Sequence, residues 1–283
     1  MNNNLNTEYH KLINKIETQG SVSAPRGLKV KELEMERLTI NPLFAIPDFE
    51  VRPFNFKYFL GEMSWYLKRD RNIDYINHFS SFWKNIADEN NEINSNYGFM
   101  LFGEQLQWAL DSLLNDKNTR QAIAFVSRPS VQYKGNKDFV CTIYLNFWIK
   151  NDKLNMKVQM RSNDIFYGLS YDAPFFAFVQ QTMWKLLRDK YTELELGTYY
   201  HCADNIHFYE RHFELADQIV KEKVKEPIMF LLREPLFTLS NNEMELTSAG
   251  KQFISDVDSL VESGEKITQE ISKQILTKYF FIQ

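Results

Sequence analysis

Phe139-Val140-Cys141-Thr142 opens a stretch that runs through Asn151-Asp152 to Arg161-Ser162-Asn163-Asp164 and on to Gly168 and Asp172, and its reading decides the fold. Phe139 to Lys150 and Lys153 to Arg161 read as two strands, with Asn151-Asp152 between them as a hairpin turn by its residue chemistry. Cys141 and Arg161 then lie ten residues on either side of the turn and can sit opposite each other. Ala173 to Leu187, strongly apolar, follows as a central helix.

Outward from this unit the chain alternates between periods. Residues 7–18 read as a helix with Tyr9, Leu12, Ile13 and Ile16 on one face, and the Pro and Gly of Ser21–Gly27 make a loop. Phe54 to Arg69 is a buried helix through Phe59, Leu60, Met63, Tyr66 and Leu67, and Gly103 to Leu114 is another. Ala122–Val126, Leu194–Tyr200 and Pro227–Leu236 read as strands, and Ile206–Lys221 as a helix. The last 35 residues read as helical, with amphipathic stretches at 253–261 and 267–279. No Pro/Gly/Ser-rich linker or internal repeat divides the chain. The expectation is a single α/β (α+β) domain, a mixed sheet packed by helices.

Composition narrows the function. Of 283 residues, 44% are hydrophobic and 25% charged, which suits a globular domain. A net charge of −4 and the lack of a basic stripe argue against duplex nucleic acid as the partner. Ten glycines make a Gly-rich phosphate loop an unpromising device, so a bound phosphate would need placed arginines. Two cysteines in unlike contexts, with no CxxC spacing, argue against a disulfide framework and for a reducing compartment. The start of the chain lacks a charged n-region and apolar h-region, and no run is long enough for a membrane span. The expectation is a cytoplasmic protein without a metal site, in the host's cytoplasm if the gene is viral.

Several side chains have two readings. Cys141 is either an inert strand cysteine or a nucleophile whose thiolate a nearby guanidinium favours. Arg161 either binds an anion or makes a structural ion pair with Asp164 or Glu62. Glu62 is a surface helix residue or a proton shuttle whose apolar helix raises its pKa. Asp172 is a helix N-cap before Ala173-Pro174, a ligand-reading carboxyl, or both.

Taken together, Arg161-Ser162-Asn163-Asp164 with Gly168 and Asp172, Asn205-Ile206-His207-Phe208-Tyr209, Gly61-Glu62-Met63-Ser64-Trp65, Trp83 and Tyr97-Gly98 resemble the thymidylate synthase family over about residues 8–220, with 221–283 divergent. Glu92–Gly98, Ser127–Gln132, Asp138–Thr142 and Met160–Asp164 are similar to the family's phage deoxycytidylate-hydroxymethylating branch, as is Asp172, where a thymidylate synthase carries Asn. The resemblance implies a homodimer that uses 5,10-methylenetetrahydrofolate to modify C5 of a pyrimidine monophosphate. It implies catalysis by Cys141, Glu62 and Asp172, and folate contacts from Trp83, Tyr97 and Asp164. Nucleotide contacts would come from Arg26, Arg161, Ser162, Asp164, Gly168, His207 and Tyr209, with Arg120 donated by the partner subunit. Arg120-Gln121 departs from the family's adjacent arginines, and Asn205 replaces its usual Asp. The implied reaction is 5-hydroxymethylation of dCMP or CMP; the rivals are C5-methylation and a retired relative that only binds.

Overall fold

Asn4 caps the first helix, α1 (Leu5–Gln19), by accepting from Thr7 N at 2.9 Å; the structure, a computed structural model, describes residues 3–283. Two strands follow, β1 (Ser21–Ser23) and β2 (Val30–Ile40), then helices α2 (Phe56–Lys68), α3 (Tyr97–Leu101) and α4 (Glu104–Asn115). β3 (Ile123–Phe125) precedes the hairpin of β4 (Thr142–Lys150) and β5 (Lys153–Met160). A short β6 (Asn163–Asp164) leads through a wide π-type turn into the central helix α5 (Ser170–Leu187). β7 (Glu195–Tyr209) and α6 (Phe213–Lys221) complete the main layer.

The main sheet runs β1-β2-β7-β5-β4-β3, with β6 beside β7. Its pairs are antiparallel except β5–β7 and β6–β7, so the sheet is mixed. The hairpin forms as its residues require: Asn151 and Asp152 sit at φ 51° and 54°, the left-handed pair that matches strand twist. Counted from this turn, a regular ladder would set Cys141 against Ser162. The register slips between Thr142 and Tyr144, leaving Ile143 unpaired, and Arg161 N donates to Cys141 O at 2.9 Å. A β-bulge therefore brings the thiol opposite the guanidinium.

α5 lies across the inner face of the sheet, and Ala173, Phe175, Phe176, Ala177 and Phe178 are all but wholly buried. Its buried amides tie it to the layers around it: Gln180 Nε2 donates to Leu154 O, and Gln181 joins Pro42 O, Phe230 O and Leu232 N.

Three parts depart from expectation. Val30–Ile40 is a full strand, hidden because charged side chains are as frequent as apolar ones along it. β7 runs to Tyr209 and α6 starts only at Phe213, so His207 and Tyr209 lie on a strand, not on a helix. Two strands that the sequence reading left unassigned also stand ahead of the C-terminal helices. There β8 (Phe230–Leu232) precedes the hairpin of β9 (Phe237–Ser240) and β10 (Glu243–Leu246), and α7 (Ser248–Glu262) and α8 (Gln269–Tyr279) pack on α2. The last strand, β11 (Phe280–Ile282), pairs with β8, and all parts share one core with Phe253, Val257, Leu276 and Phe280 buried. Among the described residues no helix is long and apolar enough to cross a membrane.

Candidate active site

Between α2, α3, the start of β4 and the β6–α5 turn lies a cavity of about 360 Å³, within the range of small-molecule sites. Cys141, Glu62 and Asp172 all line it, with Trp83, Tyr97, Asp164 and Gly168. Three elements far apart in the chain thus bring a thiol and two carboxyls to one space.

Cys141 Sγ accepts from Arg161 Nη2 at 3.6 Å. The guanidinium is held by Val140 O at 3.0 Å and Phe139 O at 2.5 Å, and stacks on the Phe139 ring. The ion pair to Asp164 or Glu62 that the sequence allowed is not formed. Burial pushes the thiol up to about 11, and Arg161 opposes this without overcoming it. The guanidinium alone therefore does not yield a resting thiolate.

Glu62 is buried on α2, not on the surface, and its Oε1 accepts from the hydroxyls of Tyr58 (2.7 Å) and Tyr66 (3.0 Å). Burial above all pushes its carboxyl from 4.5 to about 8; the two hydroxyls oppose the rise and Asp172 adds to it. Both hydroxyls bonding one oxygen suits a neutral acid, with the proton on Oε2. Between those two values the folded chain keeps a proton that the unfolded chain has released, so stability falls as pH rises through the window. Glu62→Gln should flatten that fall, by on the order of 2–3 kcal/mol between pH 5 and pH 9. Thermal melts of both proteins across that range check this; equal pH slopes would contradict it.

Asp172 sits in the first turn of α5, after the helix has begun at Ser170, so it is not the N-cap. Asp164 caps the π-type turn that precedes α5, its Oδ1 accepting from Phe166 N and Tyr167 N at 2.7 and 2.9 Å. Asp172 Oδ1 accepts from Tyr97 at 3.1 Å and Oδ2 from Asn163 Nδ2 at 2.7 Å. Burial raises it to about 6. A Cβ at Gly168 would come within 2.6 Å of Asn163 Nδ2 and 3.1 Å of Asp172 Oδ2, so the position needs glycine for this close packing.

The remaining candidates fall into two groups. Asp164 pairs in register with His207, and Tyr209 with Val30, beside the turn that carries exposed Arg26. Ser162 and Arg161 immediately precede β6, so these six candidates gather at one end of the sheet. Burial pulls His207 below its usual value. Arg120 is elsewhere: Ile123 pairs with Asn146 and Phe147 N donates to Ala122 O, which places Arg120 beside the hairpin turn. That is the opposite end of β4 from Cys141, about 25 Å along the strand.

The cavity also fits a second, partly aromatic ligand. Trp83 Nε1 and Asp164 Oδ2 are buried without a hydrogen-bond partner among the described residues, and Phe79, Phe82 and Ile86 give an apolar wall. Two unmet polar atoms on such a wall suit the pterin of a folate, with a donor at Trp83 and an acceptor at Asp164. No motif marks Tyr58, Tyr66 and Asn163, which hold the carboxyls, or His201 behind Asn163; only their spacing from Glu62 points to the two tyrosines, four residues to either side on one helix face.

A thymidylate synthase family model matches residues 7–249. The deoxycytidylate 5-hydroxymethyltransferases of Enterobacteria phages T4 and T2 are each 30% identical over 174 residues, covering 58% of this chain and 71% of theirs. The deoxyuridylate hydroxymethyltransferase of Bacillus phage SP01 is 24% identical over 287 residues, covering 91% of this chain and 73% of its own. The chain belongs to the thymidylate synthase family, and is a one-carbon transferase of pyrimidine nucleotides with methylenetetrahydrofolate as co-substrate.

Proposed function

We propose that the enzyme hydroxymethylates C5 of a cytidine monophosphate, dCMP or CMP, through a covalent bond from Cys141 to C6. The observation that carries the choice of base is Asp172, a buried carboxyl in the cavity of Cys141 with a value near 6. Cytosine presents an N4 amino donor and an N3 acceptor. One carboxyl oxygen accepts from N4 and the other, protonated, donates to N3. Support for a hydroxymethyl rather than a methyl product comes from the named activities of the phage relatives. The SP01 protein is named for deoxyuridylate, so the base is where the nearest rival reading differs.

In this reading the Cys141 thiolate, favoured by Arg161, bonds to C6. The C5–C6 electron pair moves toward N3, which takes the Asp172 proton, and C5 becomes a nucleophilic enamine carbon. Bound methylenetetrahydrofolate supplies the one-carbon unit. Glu62, neutral at pH 7, orders water and passes protons beside C5: the C5 proton leaves, water adds to the exocyclic methylene that remains on C5, and the Cys141–C6 bond breaks to return the thiolate and restore the C5–C6 double bond. Trp83 and Asp164 hold the folate, with the Tyr97 ring beside them. Arg26, Arg161 and Ser162 hold the phosphate, and His207 and Tyr209 the sugar hydroxyl.

Arg120 can join this site only from a second copy, since its own chain places it at the far end of β4. Support for a homodimer comes from the sheet face turned away from α5. There Trp148 stacks on Tyr200, with ring centres 5.8 Å apart, and Met35 is 77% exposed. Sedimentation should return twice the 33.6 kDa chain mass. Both cysteines are free, in keeping with a reducing cytoplasm.

The test is direct. The protein is incubated with methylenetetrahydrofolate and dCMP, CMP or dUMP; product mass identifies the base and the added group, and absorbance follows dihydrofolate. Hydroxymethylcytidylate without dihydrofolate is the expected result. A methylated product, a uracil product alone, or no turnover would each overturn the proposal.

A further inference from the structure

Asp172 is the end of a buried chain. Asn163 Nδ2 donates to Asp172 Oδ2 at 2.7 Å, Asn163 Oδ1 lies 3.0 Å from His201 Nε2, and His201 Nδ1 lies 2.7 Å from the Tyr199 hydroxyl. Tyr199 and His201 are wholly buried and Asn163 nearly so. The proton positions follow from valence. An amide oxygen only accepts, so His201 Nε2 carries the ring proton. Burial pulls the imidazole down to about 3, so it is neutral and has a single N–H. Nδ1 must then accept, and Tyr199 donates. Every bond points one way, from hydroxyl to imidazole to amide to carboxyl. The reverse setting would turn the Asn163 oxygen against Asp172 Oδ2 and demand a proton there, facing into the protein.

Tyr97 acts likewise on the other oxygen: it accepts from Thr142 Oγ1 at 2.9 Å and gives its own proton to Asp172 Oδ1. The titratable neighbours of Asp172 are Glu62 and Tyr66 from α2, Tyr97 from α3, Cys141, Asp164 and Tyr199. None is a cation. Neutral donors alone decide where a proton on this carboxyl can stand.

The geometry points to Asn163, His201 and Tyr199 as positioning residues for base choice: their one-way donor chain makes Asp172 an acceptor on its protein side, so its proton stands on the cavity side, where pyrimidine N3 can take it. This rests on the reading of Asp172 as the base-reading group. Without the chain Asn163 can turn, Asp172 can lodge its proton inward, and the discrimination between an amino and a carbonyl edge weakens. The Asn163–His201 contact spans 38 residues of sequence, so neither residue announces the role.

The experiment compares kcat/KM for dCMP and dUMP in His201→Phe, His201→Gln, Tyr199→Phe and Asp172→Asn, with far-UV circular dichroism confirming the fold. His201→Phe should lower the dCMP:dUMP ratio roughly tenfold, the scale of one lost buried hydrogen bond in a polar network. Tyr199→Phe, which removes a single oxygen and is the variant surest to fold, should lower it roughly threefold. His201→Gln keeps a donor at the Nε2 position and an acceptor for Tyr199, and should restore the ratio. Folded variants that lose rate equally on both bases would overturn the proposal while Asp172→Asn still shifts selectivity. If Asp172→Asn leaves selectivity unchanged, the base-reading role itself falls, and this inference with it.

Discussion

Cys141→Ser should abolish turnover and leave the fold and nucleotide binding in place. Serine is nearly isosteric with cysteine, and Arg161 is anchored by the backbone oxygens of Phe139 and Val140 whether or not sulfur is present. The packing that defines the cavity therefore survives the change. What is lost is an ionisable, polarisable nucleophile. Even the thiol is pushed up to about 11 here, and Arg161 is the neighbour that favours its ionisation. A hydroxyl starts several units higher and has no base within hydrogen-bond reach comparable to a catalytic histidine. The expected loss is on the order of 10³-fold or more, with no covalent adduct detectable by mass. Residual activity within about tenfold of the parent would remove Cys141 from the mechanism, since no other lining residue offers comparable chemistry.

The second large effect is expected at Asp172. In Asp172→Asn, Asn163 Nδ2 still points at the position of Oδ2, so the new amide must place its oxygen there. Its NH2 then falls on the Tyr97 side. That arrangement offers a donor to uracil O4 and an acceptor to N3–H, and the parent's match to cytosine is inverted. Selectivity should move from dCMP toward dUMP by about 10²-fold or more, because a mismatched base leaves buried polar groups unpaired. Competition between the two nucleotides, read by product mass, checks this. An unchanged ratio would mean that something other than this carboxyl reads the base.

Much of the architecture is legible in the chain because it is local. The hairpin follows from Asn151-Asp152 and two flanking period-two runs, and the central helix from an apolar stretch too long for a strand. β2 escapes notice because Lys31, Glu32, Glu34, Glu36 and Arg37 leave little apolar alternation; its place is set by pairing with β7, not by its own pattern. β7 itself is longer than its sequence suggests, since Asp204 and Asn205 look like a break yet hydrogen-bond within the sheet region, Asn205 to Glu32 and Asp204 to Gln159. The thiol and the two carboxyls are recognisable from their motifs. Their companions are not: Asn163 looks like a spacer, and His201 an ordinary core histidine, until the fold brings the two together.

The slip at Ile143 carries a consequence for how this enzyme can change. The arms of the hairpin differ by one residue in length, and a kink absorbs the odd one. Sulfur and guanidinium are neighbours by parity, not by any attraction strong enough to drag the strands into place. Lengthening both arms at the tip by equal amounts leaves the chemistry untouched, whereas a lone insertion in β5 trades the arginine for its neighbour unless a second kink takes up the surplus.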